Sequence, residues 1–518
     1  MRREGRPISS ATAPAPTHPS AGRERGSEPP RAERLRRPSR PTIGLVLGPV
    51  LAALVAWWVP DMPPEAAGAP AYAGALTAAT LVLMGVWWMT EALPLAVTAL
   101  LPLVVLPVAG VAPVADVASP YANKVIFLFF GGFVLAIALQ RWDVHLRIAL
   151  GVVRLVGTAP RRLVLGMMVA TALLSMWVSN TATAVMMLPI GVSVLALLGR
   201  ERGGVDGRLS AALMLGIAYA ATIGSFGTII ASPPNALLVG YLSETYGIEI
   251  GFGQWMLVGL PLSVVFLLLA WLLLTRVVFR VDPAPLCEDD AVVRTELDRL
   301  GPMGSPQRRV VAVFALAAVS WIALPLVWRG TPVTDEVVAV VVAILLFLLP
   351  SGARCGGRLL DWSDTRDLPW GILLLFGGGL ALASQITASG LSQWIGERAH
   401  GLQGMPTVVV VAAVCVLTVA LTEFMSNTAT AATLLPIMST VGAALGYGPL
   451  LLAVPVALAA GCTFMMPAAT PPNAIAYSSG YVRVPDMIRA GAPLSVASVL
   501  LVTLTVTTLA SWVLGIPA

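Results

Sequence analysis

The chain is 518 residues long; 57% of them are hydrophobic, only 11% are charged, and the formal net charge is +5. Average soluble domains carry about 25% charged residues, so an ordinary water-soluble enzyme is excluded, and a mean hydropathy of +0.84 excludes disorder over most of the sequence. A polytopic membrane protein remains. Its apolar runs leave room for about ten to twelve crossings of about 20 residues each. The runs are continuous rather than alternating, so the spans are predicted to be helices and not barrel strands.

In chain order, residues 1–41 come first. Ten arginines and four acidic residues fall within the first 40, among many Pro and Ser. That composition predicts a disordered cytoplasmic tail rather than a nucleic-acid-binding arm. Residues 42–59 read as a retained, unpaired first span, since no small-residue cleavage pattern follows directly. Spans are predicted over Ala73–Met89, Leu93–Val111 and Lys124–Leu139. Between Arg162 and Arg200 the chain is apolar, yet both ends are basic and therefore cytoplasmic. Such a stretch must turn back on itself. Its middle, WVSNTATAVMMLP, is too polar to face lipid, which predicts a re-entrant hairpin near 160–199. Spans over Leu209–Val239 and Trp255–Val278 complete a first unit, 73–280. A charged cytoplasmic linker, 281–308, separates it from a second unit, 309–518, with a hairpin near 404–443 whose flanks are poor in charge. The N-terminus is expected in the cytoplasm, the C-terminus outside, and the protein in the plasma (inner) membrane.

The second unit repeats the first. Ser179-Asn180-Thr181-Ala182-Thr183 recurs as Ser426-Asn427-Thr428-Ala429-Thr430, and Pro189 as Pro436. Ser232-Pro233-Pro234-Asn235-Ala236 recurs as Thr470-Pro471-Pro472-Asn473-Ala474, and Phe130-Gly131-Gly132 as Phe376-Gly377-Gly378. Four motifs in one order exceed chance. Each copy holds five crossings and one hairpin; five is odd, so the second copy sits upside down. Inverted repeats with interrupted helices are a signature of secondary transporters.

The motifs suit that reading. A turn at mid-membrane frees backbone amides and carbonyls. Amides at a helix N-terminus favour an anion, Asn and Thr add uncharged donors, and carbonyls suit a hard cation such as sodium. Each Ser-Asn-Thr turn thus offers a carboxylate one side and a cation the other. Two prolines unwind a span locally, which makes the carbonyls of Ala231 and Ala469 candidate cation ligands. Thr422 and Ser426, four apart, are expected to share a face of one helical arm. Phe-Gly-Gly reads as a close-packing element. Glu91, at a predicted membrane edge, has two open readings, a structural anchor ahead of a proton relay. Glu423, three residues before Ser426, has two open readings: tuning a cation or proton site, and a buried structural role. Cys287, Cys355, Cys415 and Cys462 form no CxxC, the three histidines are scattered, and no GKS or GKT occurs. No transition metal, organic cofactor, nucleic-acid partner or enzymatic nucleophile–base pair is therefore expected.

At these residues the chain resembles the divalent anion/sodium symporter family, carriers of dicarboxylates, citrate and sulfate. The resemblance rests on both Ser-Asn-Thr motifs, WWMTEALPL, LLFGGGLALA and both Pro-Pro-Asn segments, and it runs from about residue 42 to the C-terminus. It implies an all-α homodimer of about eleven spans and two hairpins per chain, working as an elevator. It also implies substrate binding by Asn180, Thr181, Asn427, Thr428, Thr470 and Pro471. A first sodium ion would sit at Ser175, Ser179, Asn180 and Ala231, and a second at Thr422, Ser426, Asn427 and Ala469. The family often has glycine where this chain has Ala231. The leading expectation is a sodium-coupled importer of a small dianion such as succinate, malate or fumarate. A sodium-independent exchanger, a sulfate or citrate carrier and, from another class, an anion channel are the alternatives.

Overall fold

A computed structural model describes residues 40–66, 68–157, 159–202, 206–282, 298, 300–328, 331–352, 356–399 and 404–516. The expected tail lies outside the described residues except for positions 40 and 41, as do most of the linker, Cys287 and Cys355.

The described chain is helical; its one β feature is an isolated bridge between Pro350 and Arg358. Helix α1 covers Arg40–Trp58, α2 Ala73–Thr90, α3 Leu95–Thr98, α4 Leu101–Val108 and α5 Val114–Ala118. Then come α6 (Lys124–Arg141), α7 (Val144–Val156), α8 (Pro160–Ser175), α9 (Asn180–Arg202), α10 (Gly207–Gly224), α11 (Pro233–Tyr246) and α12 (Phe252–Leu272), which runs on as a π turn to Val278. The second half holds α13 (Ser305–Val327), α14 (Asp335–Leu348), α15 (Trp370–Ala388), α16 (Leu391–Ala399), α17 (Thr407–Thr422), α18 (Asn427–Ala444), α19 (Pro449–Ala460), α20 (Pro471–Ser478) and α21 (Val484–Thr505).

Among the described residues, eight helical stretches are long and apolar enough to cross a membrane. Shorter apolar helices lie over Leu95–Val108, Asn180–Ala196, Thr407–Thr422 and Pro449–Ala460. The helix expected over Leu93–Val111 is not continuous: it breaks at Ala99–Leu100, and Pro102 and Pro107 restart and tighten it.

The order of elements recurs. A span (α6, α15) leads into a short helix (α7, α16), a helical hairpin (α8–α9, α17–α18), a broken helix (α10–α11, α19–α20) and a long final helix (α12, α21). Proline dictates both breaks. Pro233-Pro234 and Pro471-Pro472 open α11 and α20 at their first positions, where no amide is needed for the helix ladder. The segments before them, 225–232 and 461–470, are left without helix.

The Phe-Gly-Gly glycines are packing sites. Gly131 lies against the backbone of Ala339 in α14, and Gly378 against the carbonyl of Ala99. A side chain there would enter the neighbouring main chain. Glu91 ends α2 in the left-handed region (φ 51°) and is exposed. Arg40 donates to the carbonyls of Met89 (3.1 Å) and Phe424 (2.5 Å), which ties the start of α1 to the turn of the second hairpin.

Overpacking a tight core costs about 1–3 kcal/mol. Gly378→Ala and Gly131→Ala are expected to lower the melting temperature of the detergent-purified protein by several degrees. Gly151→Ala, where an added methyl meets nothing within 4 Å, is the control and leaves it unchanged. Equal melting of all three would remove the close-packing account.

Candidate functional site

Both Ser-Asn-Thr motifs stand at the hairpin turns, and each turn opens a helix. Asn180 is the first residue of α9 and Asn427 the first of α18, so the N-terminal amides of both helices lie at the motif, although in the first turn the Thr181 amide donates to Asn180 Oδ1 at 2.8 Å. Asn180, Thr181, Asn427 and Thr428 are all half-buried, although the sequence around them is apolar. The two turns differ in their caps. The Ser179 hydroxyl accepts from the Ala182 amide (3.3 Å), whereas Ser426 caps α18 without a side-chain bond.

The tips are brought to the broken helices crosswise. α9, from the first hairpin, packs against α20, from the second unit; α18, from the second hairpin, packs against α11, from the first. The Ser439 hydroxyl of α18 donates to the Tyr241 hydroxyl of α11 at 2.7 Å. Both hairpins and both Pro-Pro-Asn segments therefore share one interior region.

Ser175 and Thr422 end the outgoing arms α8 and α17. Ser175 donates to the Ala221 carbonyl at 2.5 Å, and Thr422 to the Ala460 carbonyl at 2.7 Å. These carbonyls lie towards the ends of α10 and α19, so each outgoing arm is fastened to the helix that leads into the break. The Thr422 hydroxyl also lies 3.0 Å from Asn427 Oδ1, which the Thr463 hydroxyl approaches at 3.3 Å. Ser426 is not on the helical arm with Thr422: α17 ends at Thr422, and Ser426 lies beyond it in the turn with extended backbone. The shared-face expectation fails because four residues of turn separate the arms. Ala231 and Ala469 are buried and immediately precede the residues that cap α11 and α20. Thr470 is buried and Pro471 exposed.

Sequence reasoning did not assign the asparagines of Pro-Pro-Asn. Asn235 donates through Nδ2 to the carbonyls of Ser225 (3.1 Å) and Thr228 (3.0 Å); Asn473 donates to those of Thr463 (3.4 Å) and Met466 (3.2 Å). Each amide thus closes its own unwound segment. Both Oδ1 atoms are buried without a hydrogen-bond partner. Glu423 is buried, and its carboxylate accepts from the amides of Phe464 (3.0 Å) and Met465 (3.3 Å) and from the Ser495 hydroxyl (3.1 Å). Tyr219, in the first unit, donates to the Phe464 carbonyl at 2.8 Å. The repetition of Pro-Pro-Asn was the signal for these asparagines; nothing local pointed to Thr463 or Ser495.

A family model described as the sodium:sulfate symporter transmembrane region matches residues 46–516. The chain belongs to the sodium:sulfate symporter family. The expected divalent anion/sodium symporter membership is borne out, and it makes this multi-pass membrane protein a transporter rather than an enzyme. A sodium-dependent dicarboxylate transporter of Staphylococcus saprophyticus is 39% identical over 485 residues, covering 92% of this chain and 92% of that protein. One of Staphylococcus aureus (strain USA300) is 40% identical over 487 residues, with the same coverage. Among solved structures, the Alcanivorax borkumensis YdaH transporter aligns with a TM-score of 0.56 at 15% identity, over 93% of this chain and 100% of its own. Neisseria gonorrhoeae MtrF aligns at 0.53 and 14%, over 91% and 95%. These two share the fold.

Removing the Asn473 amide takes a donor from the buried Thr463 carbonyl and from the half-buried Met466 carbonyl, at about 1–3 kcal/mol for a buried polar group orphaned. Asn473→Ala is expected to melt several degrees below the parent, and Asn473→Asp lower still, because it sets a carboxylate against two carbonyls. Normal melting of Asn473→Ala would show that the unwound segment is held by other means.

Proposed function

We propose that this chain is a sodium-coupled symporter that carries C4-dicarboxylates such as succinate, malate and fumarate into the cell. The observation that carries the reading is the pair of half-buried Ser-Asn-Thr turns, each opening a helix and each interlocked with the other unit's broken helix. Two helix N-termini of that kind suit a substrate with a carboxylate at each end. The names of the staphylococcal relatives support both the substrate class and sodium as the coupling ion.

In this reading Asn180, Thr181, Asn427 and Thr428 receive the substrate, with Thr470 and Pro471 beside it. One sodium ion, carried as co-substrate, is held by Ser175, Ser179, Asn180 and the Ala231 carbonyl. The other is held by Thr422, Ser426, Asn427 and the Ala469 carbonyl. A dianion entering a negative-inside cell moves uphill by about 2.3 kcal/mol per charge per 100 mV, and two sodium ions neutralise it. Units 73–280 and 309–518 are inverted repeats, which the recurring element order and the contrast between the basic flanks of the first hairpin and the charge-poor flanks of the second support. The N-terminus is cytoplasmic and the C-terminus external in the plasma membrane. Hairpins and broken helices move together as an elevator against a scaffold that forms a homodimer.

The decisive experiment is uptake of labelled succinate into proteoliposomes, with and without an inward sodium gradient, against unlabelled malate, fumarate, citrate and sulfate. A sodium gradient is expected to drive accumulation, and the C4-dicarboxylates to compete best. Full-rate uptake in sodium-free choline buffer, driven only by internal succinate, would leave an exchanger.

Hydrogen bonds to charged groups contribute about 1.5–3 kcal/mol. Asn180→Ala and Asn427→Ala are each expected to weaken succinate binding by about one to two decades, read as half-saturation of uptake at saturating sodium. Unchanged half-saturation in both would move the substrate elsewhere.

A further inference from the structure

Glu423 is the only buried acidic residue among the described residues, and it forms no salt bridge among them. A carboxylate removed from water is costly unless a cation or several donors compensate it. Three donors do so in part, and two of them are backbone amides of the second unwound segment. With Asn473 on the carbonyls of Thr463 and Met466, side chains hold both kinds of backbone group across 463–466.

The first half is built differently. Ser225-Phe226-Gly227-Thr228 stands where the second has Thr463-Phe464-Met465-Met466, and Asn235 holds its carbonyls in the same way. Its amides, however, close on their own chain: Phe226 donates to Ile223 (3.3 Å) and Gly227 to Gly224 (3.0 Å). At the place of Glu423 the first hairpin has Met176, and only its carbonyl takes part, accepting from the Thr228 hydroxyl. Among the described residues, a buried carboxylate therefore stands at the second unwound segment and not at the first. It sits next in the chain to Thr422, and it fixes the segment whose first residue, Thr463, meets Asn427 Oδ1.

We infer that Glu423 is the positioning residue and counter-charge of the second sodium ion. It does not ligate the ion. It holds segment 463–466 against the second hairpin turn, and its charge offsets that of a cation bound beside Thr422 and Asn427. The inference rests on the symport reading above.

The test follows sodium binding directly, through the melting temperature of the purified protein titrated with sodium chloride against choline chloride at constant ionic strength. In Glu423→Gln the Met465 amide faces a second donor and the charge is gone. The sodium concentration for half-maximal stabilisation is expected to rise about tenfold, the scale of one hydrogen bond to a charged group. Succinate half-saturation at saturating sodium stays within about twofold. Ser495→Ala removes one donor and raises the sodium midpoint less, by about threefold. Met176→Leu, at the matching place in the first hairpin, leaves it unchanged. A purely structural Glu423 would lower the melting temperature without moving the sodium midpoint, and that result overturns the inference. Should Glu423→Gln fail to fold, Ser495→Ala decides: a raised midpoint supports the inference and an unchanged one overturns it. Absence of any sodium-dependent stabilisation in the parent protein would sink the symport reading itself, and this inference with it.

Discussion

A backbone that leaves the helix inside a membrane must find partners for its amides and carbonyls within the protein, because lipid offers none. This chain does so twice, at 225–232 and 461–470, and the rest of the interior is arranged around those two breaks. Proline forces each break, and the asparagine two residues on repairs it by reaching back to two carbonyls. The carbonyls and helix ends exposed there are the raw material of an ion and anion site. Without side-chain partners the same openings would be a defect.

The breaks are also where the two halves of the chain meet. Each hairpin's return helix packs both on its own unit's broken helix and on the far half of the other unit's. Tyr219 joining the first unit's α10 to the Phe464 carbonyl, and Tyr241 joining α11 to Ser439, fasten this exchange with hydrogen bonds. The described residues of 40–518 pack as one compact unit.

Repetition is not identity. The first segment is wholly buried and closes its amides locally, while the second keeps Met465, Met466 and Pro467 partly exposed and uses a carboxylate. The first unwound segment is thus held by side-chain amide and backbone dipoles, the second by those plus a carboxylate.

Composition and pattern alone determined the class, the helical spans, both hairpins and both breaks. Each of these follows from local rules: apolar length, basic flanks, Ser-Asn-Thr within an apolar run, paired prolines. The same rules failed where a contact joins residues far apart in the chain. Leu93–Val111 read as one helix by hydropathy, which does not register how Pro102 and Pro107 are accommodated. Thr422 and Ser426 were placed on one helical face because their spacing fits a turn of helix, but α17 stops at Thr422. The holds of Asn235 and Asn473, the meeting of Thr463 with Asn427 and the grip of Glu423 on residues 41 and 42 positions away were decided only by the tertiary structure. Sequence fixes which backbone groups a proline releases; which side chain satisfies them depends on how the helices pack.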